Sequence, residues 1–273
     1  MRYEYKDLKE LSRYSKRRMI INMKRKFLYV FTLAVLAVSV FSNAFAMALD
    51  TTISWGVVPN SEERTPEPPK GSLELLKNNN GIFVKETLDK KVYFTFDLGY
   101  EAGYTAQVLD ILAENNIKGI FFLCGNYLQE EDLIKRMIDE VHYLGNHTDK
   151  HKDLPALNGE AIKKDIVTLQ ENFKSRYSQP MNFFRPPQGR FNENVLKIAN
   201  EQGLKTTLWS IAIVDWGKSP INHVECANKI EKRIHPGAVI LFHITNSGTP
   251  KMLKLLIPKI FSKGYQIGDP AEL

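Results

Sequence analysis

The stretch YFTFDLGYE, Tyr93 to Glu101, decides how the rest of the chain is read. Together with Val92 it opens as a β-branched and aromatic run with little polar alternation. That is the composition of a strand buried on both faces, as in a parallel sheet. The run ends in a carboxylate, Asp97, followed by Leu98 and Gly99 where a strand would meet its loop. In parallel α/β folds the carboxyl ends of the strands form the functional face, so an acid at that point is a candidate catalytic group.

Working outward, the pattern alternates. VYFTF predicts a strand and TAQVLDILAENN a helix. IKGIFFLC is a second strand, and EEDLIKRMIDEVHYLG reads as a helix with Gly145 as its C-cap. Asn158 precedes the amphipathic helix GEAIKKDIVTLQENFKSRY. MNFFR is a short strand and NENVLKIANEQG a helix ending at Gly203. LKTTLWSIAIV is a strand, bent or continuous. HVECANKIEKRI is a helix, GAVILFH a strand, TPKMLKLLIPKIFSKG a helix and YQIG a final strand. This order predicts a parallel sheet covered by helices. Periodicity alone fits an open α/β sheet and a barrel equally. No Walker loop or dinucleotide glycine fingerprint is present in the sequence.

Polar clusters fall at the ends of the predicted strands. Beyond Asp97 they are GNHTDKHKDLP with His147 and His151, FFRPPQG with Arg185, LWSIAIVDWG with Asp215 and Trp216, and GAVILFHITN with His243. His147 and His151 are four residues apart. One helical turn would put both imidazoles on one side, and a loop could converge them equally well. Imidazole is a good neutral ligand for a borderline divalent ion, most often zinc.

The amino-terminal region has a different character. MKRKFLYVFTLAVLAVSVFSNAFA begins at Met23 with basic residues, continues in a 15-residue apolar run from Phe27 to Phe41, and ends in Ala44-Phe45-Ala46. This is the layout of a secretory signal peptide, with Met23 the better start than Met1. The run is short for a membrane span, and an uncleaved anchor is the other reading. Without residues 1–46 the chain carries 27 basic and 28 acidic residues, so the formal charge of +6 belongs to the leader. That excludes the basic footprint of a nucleic-acid binder. NSEERTPEPPKGS reads as an exposed loop, giving residues 47–90 as an extension and linker and 91–273 as the catalytic domain. Two cysteines, Cys124 and Cys226, are no disulfide framework, and Cys124 closes an apolar strand.

Taken together, TFDLG (Thr95 to Gly99), HTDKH (His147 to His151), RPPQG (Arg185 to Gly189), Asp215-Trp216 and LFH (Leu241 to His243) resemble, in order, the five motifs of the polysaccharide deacetylase family. These are the NodB-homology carbohydrate esterases. The resemblance implies a distorted (β/α) barrel of parallel strands with helices outside. It implies a divalent metal cofactor, zinc first, on His147 and His151. Asp97 resembles the general base that takes a proton from the attacking water, and His243 the general acid that protonates the departing amine. Arg185 is similar to the arginine that orients the base, and Asp215 to the acid that holds the imidazole. A backbone N–H in the loop after Asp97 is the implied oxyanion donor. Tyr100, Pro187 and Trp216 are candidates for sugar contacts, whereas Trp209, mid-strand, reads as core.

The family pattern is T-F-D-D-G, whose second acid is a metal ligand, and Leu98 stands in its place. Three consequences are open: a weaker site on two histidines and water, replacement by another donor with Asp97 the nearest oxygen, or loss of catalysis. TFDLGYE, GNHTDKHKDLP and W-S-x-A-x-x-D-W are similar to a branch that forms muramic δ-lactam in spore peptidoglycan. That branch implies N-deacetylation of N-acetylmuramic acid in peptide-stripped glycan strands of the spore cortex by an exported monomer, with the membrane met only through the export signal. The alternatives are a deacetylase of N-acetylglucosamine units, in peptidoglycan or an exopolysaccharide, and a metal-poor carbohydrate-binding protein.

Overall fold

The computed structural model describes residues 51–60, 62–217 and 219–273, together with Met19, Met23, Lys26 and Thr32. The chain divides into two units, Met1–Thr51 and Thr52–Leu273. The export signal expected over 23–46 lies almost wholly outside the described residues. Among the described residues no helix is long and apolar enough to cross a membrane.

The second unit is a distorted parallel half-barrel flanked by helices. In chain order its elements begin with β1 (Ile53–Ser54), α1 (Ser72–Asn78), β2 (Gly81–Ile82), β3 (Lys91–Leu98), α2 (Thr105–Glu114) and β4 (Gly119–Leu123). Next come α3 (Glu131–Asp139), β5 (Tyr143–Asn146), α4 (Gly159–Tyr177), β6 (Phe183–Phe184), β7 (Arg190–Phe191) and α5 (Glu193–Glu201). The last are β8 (Lys205–Thr207), β9 (Ile211–Ala212), α6 (His223–Glu231), β10 (Ala238–His243), α7 (Gly248–Ser262) and β11 (Gln266–Ile267). The main sheet runs β2-β8-β6-β5-β4-β3-β10-β9, with β11 also paired to β3, and β1 pairs antiparallel with β7 apart from it. Every pairing of the main sheet is parallel.

Alternation along β3 separates two apolar layers. Val92, Phe94, Phe96 and Leu98 join the cluster packed beneath the helices. Tyr93 lies in a second cluster inside the curve of the sheet with Ile120 and Phe122. Thr95 and Asp97 share Tyr93's side, because side chains alternate with period two. Asn158, Asn192 and Asn222 each accept a backbone N–H at the start of α4, α5 and α6, which sets where these helices begin.

The segment LKTTLWSIAIV is not one strand. Its first part pairs as β8 near one end of the sheet and its second as β9 at the other. Leu208 to Ser210 alone connect them. The four steps from Thr207 to Ile211 span roughly 14 Å at most, so the sheet must curl until its ends approach. A bridge between Val84 and Ala238 joins the two sides again.

The helix expected to run to Gly145 stops at Asp139, and Tyr143–Asn146 is a strand. Val141 takes a left-handed φ of 60°, which ends the helix. Gly145 is not a cap. A Cβ there would lie 2.5 Å from the Phe122 ring, so glycine is needed for neighbouring strands to meet around that ring.

Candidate active site

The carboxyl ends of β3, β5, β6, β9 and β10 open into one cavity of about 890 Å³. Asp97 and His243 are register partners on β3 and β10, so both side chains face into the barrel.

Asp97 is held from below. Arg185, wholly buried, donates from Nη1 to Asp97 Oδ1 at 2.8 Å. Its Nε donates to the Thr207 carbonyl at 2.8 Å and its Nη2 to the Thr95 hydroxyl at 2.9 Å. The guanidinium lies 4.1 Å from the Phe122 ring centroid. Burial pushes the Asp97 carboxyl up, but Arg185, His147 and His243 outweigh it and hold the group below the usual carboxylate range. Oδ1 is thereby committed to Arg185, and Oδ2 lies 3.5 Å from His147 Nε2.

His243 has the opposite bias. Asp215, also fully buried, takes the His243 ring at Nδ1 through Oδ1 and accepts the His243 backbone N–H through Oδ2, both at 2.8 Å. Burial lowers the imidazole pKa, yet the bond and charge of Asp215 raise it above its ordinary value. Nδ1 is occupied, so Nε2 is the nitrogen left to the cavity.

The two histidines converge in a loop rather than on a helical turn. Their ring centroids are 4.9 Å apart. Thr148 and His151 adopt left-handed φ values of 66° and 50°. The loop is tied down by Asp165 of α4, whose carboxylate accepts the Lys150 N–H and whose carbonyl accepts the Asp149 N–H. His147 Nδ1 sits 2.8 Å from the Arg185 carbonyl and donates to it, which leaves Nε2 with its lone pair on the cavity side. Burial pushes the His147 pKa down to about 4, against the pull of Asp97, and keeps the ring neutral as a ligand must be.

One further donor stands beside them. Cys124 follows β4 on the inward parity, is buried, and its sulfur lies within 4.8 Å of ligand nitrogens of His147 and His151. A neutral histidine pair with an adjacent sulfur suits a borderline divalent ion. Both cysteines are free thiols. In the sequence Cys124 only closes an apolar strand; counting parity from Phe122, an inward residue, turns it toward the site.

Leu98 is fully buried in the helix-covered cluster with Phe96 and Val108 and is not among the residues that line the cavity. Tyr100 and Trp216 line the cavity and are largely exposed. Trp209 lines it as well, so it is more than core packing. Pro187 is buried in the turn Pro187–Gly189, whereas Gln188 and Gly189 reach the cavity. Glu101 accepts the N–H groups of Gly103 and Tyr104 and the Tyr127 hydroxyl, fixing the loop beyond Asp97.

The half-barrel and this paired-charge site define a carbohydrate esterase of the NodB-homology type. Comparison with known proteins agrees: the family described as polysaccharide deacetylase matches residues 84–207. The peptidoglycan-N-acetylmuramic acid deacetylase PdaA of Bacillus subtilis is 34% identical over 216 residues, covering 78% of this chain and 82% of that one. Its structure superposes with a TM-score of 0.77 at 32% identity, covering 82% of this chain and 97% of PdaA. A peptidoglycan-N-acetylglucosamine deacetylase of Bacillus cereus is 33% identical over 179 residues, 64% of each chain. A family 4 pseudoenzyme of Bacillus anthracis superposes with a TM-score of 0.66 at 27% identity, covering 71% of this chain and 68% of its own. The chain belongs to the polysaccharide deacetylase family, the carbohydrate esterases of family 4, and it is closely similar to PdaA.

Proposed function

We propose that this protein hydrolyses the acetamide of N-acetylmuramic acid in peptide-stripped peptidoglycan, freeing an amine that closes onto the lactyl carboxyl as muramic δ-lactam. The observation that carries the hydrolytic step is the pair of oppositely biased groups on adjacent strands: a carboxylate that Arg185 biases toward its ionised form and an imidazole that Asp215 biases toward its protonated form. Amide hydrolysis needs both states at once, a base for the incoming water and an acid for the leaving nitrogen. Asp97 receives the water proton at Oδ2, since Oδ1 is engaged by Arg185. His243 delivers its proton from Nε2, with Asp215 stabilising the charged ring beforehand. His147 and His151 are the residues that would hold a divalent ion, zinc first. Such an ion, when bound, polarises the carbonyl and acidifies water.

Tyr100 and Trp216 on the rim offer flat faces to sugar rings. The muramic assignment draws support from the similarity to PdaA, named for that sugar, and from the resemblance of TFDLGYE to the δ-lactam-forming branch. On this reading residues 1–46 direct export, 47–90 are an extension, and 91–273 carry the reaction as a monomer outside the membrane, on the glycan strands of the spore cortex. The test is mass spectrometry of peptide-free and peptide-bearing glycan after incubation with the protein. Acetate together with δ-lactam from peptide-free strands is the expected product. Acetate from glucosamine units alone would transfer the activity to the reading that the Bacillus cereus relative's name favours.

A further inference from the structure

The family's acidic ligand is missing at Leu98, which is buried among apolar side chains and offers no ligand atom. The site nevertheless contains another group able to carry negative charge. We infer that Cys124 binds the divalent ion as a thiolate, taking the place of the absent carboxylate and leaving Asp97 free to act as a base. This inference rests on the deacetylase reading only in expecting that His147 and His151 bind an ion.

Three observations carry it. First, Cys124 is on the correct face. Ile120 and Phe122 of β4 point inward, Phe121 and Leu123 outward, and Cys124 continues the inward series. Second, its sulfur and the two histidine donors lie within 4.8 Å of one another. Zinc bonds of about 2.3 Å to sulfur and 2.0–2.1 Å to nitrogen put tetrahedral ligands roughly 3.3–3.7 Å apart, so small side-chain rotations complete the set. Third, one oxygen of the competing donor is already engaged. Asp97 Oδ1 is fixed by the buried guanidinium, and Asp97 is not part of the cluster that Cys124 forms with the two histidines. The sulfur's own contact is weak, 3.5 Å to the His147 carbonyl, and is readily given up.

The step is simple to balance. The thiol S–H bond breaks, its proton leaves to solvent, and the sulfur lone pair forms the bond to the ion. No oxidant or reductant takes part. A His–His–thiolate set is softer than the His–His–carboxylate set, so this site favours zinc over manganese or magnesium more strongly.

The experiment uses the full chain loaded with zinc, and separately with cobalt(II). X-ray absorption of the zinc protein should contain one sulfur neighbour at about 2.3 Å, and the cobalt protein should show a thiolate-to-metal charge-transfer band in the near ultraviolet. Both signals should vanish in Cys124→Ser and persist in Cys226→Ser, which removes the chain's only other cysteine. Zinc affinity should fall at least about tenfold in Cys124→Ser, since even outer partners of a ligand are worth that much. Cys124→Asp should shift preference toward manganese. The wild-type spectrum is decisive even if a variant folds poorly. Zinc bound through nitrogen and oxygen alone overturns the inference, as does a failure to bind zinc, or a sulfur signal that survives Cys124→Ser. Acetate release by a protein without the sulfur neighbour would leave the deacetylase reading intact. A sulfur neighbour in a protein that releases no acetate would do the reverse.

Discussion

At the scale of single residues, Asp97 and Arg185 form one buried unit with two jobs. The pair is shielded from water, so removing one charge strands the other, at a cost of about 3–5 kcal/mol. Asp97→Asn should therefore lower turnover on the order of 100-fold or more and also lower the melting temperature. Steady-state assay beside thermal unfolding checks both. A variant that loses stability but keeps its turnover would remove Asp97 as the base. The pH dependence follows from the other pair. The His243 pKa is raised, so its proton is present below that value and is lost as pH rises through it. Asp215→Asn removes the charge that sustains the imidazolium, and the alkaline limb of the rate profile should move to lower pH. An unmoved limb would mean that another group sets it. Leu98→Asp places a carboxylate in the apolar cluster that holds Phe96 and Val108. Unfolding should be easier by about 3 kcal/mol or more, with metal affinity, read by titration calorimetry, unchanged. Tighter metal binding would show that the new carboxylate turns to the histidines.

At the scale of elements, the site was largely legible because its residues sit at strand ends, and strand ends announce themselves where an apolar run meets a polar residue. Asp97, Arg185, Asp215 and His243 were all found that way. What escaped were groups whose role depends on which way a strand faces. Leu98 ends β3 and Cys124 directly follows β4, yet one points to the helices and the other to the cavity. β5 escaped for a related reason. Its four residues follow α3 with only three between, and the left-handed Val141 that separates them has no signature in the sequence, because valine rarely adopts it. The same loops make a further prediction. A Cβ on Gly125 would lie 2.7 Å from the Asp149 carbonyl oxygen, in the loop that carries both histidines. Gly125→Ala should push that loop outward and weaken zinc binding, read by calorimetric titration, while leaving the far side of the barrel folded. Unchanged affinity would show that the loop moves without disturbing His147 and His151.

At the scale of the whole molecule, the alternation of strands and helices made the parallel architecture legible, but its curvature was not. Curvature depends on β8 and β9 lying at opposite ends of the sheet, a long-range pairing that no local pattern encodes. The same holds for the segment between 47 and 90, whose charge and proline content mask its apolar anchors. Trp55, Leu76 and Phe83 are buried together, and β2 extends the main sheet. Trp55 also donates to the Trp209 carbonyl at 2.9 Å and its backbone N–H to that of Gly189 at 2.9 Å, two residues that line the cavity. A chain beginning at Met47 should fold cooperatively and retain activity. A chain beginning at Lys91 loses all three anchors. Large-to-small losses at such positions cost about 2–5 kcal/mol each, which together rival the roughly 5–15 kcal/mol that holds a typical domain folded. The shorter chain should therefore lose its cooperative transition and its activity together. Calorimetric unfolding of the two chains checks this, and equal melting temperatures would show that the barrel from Lys91 onward is self-sufficient.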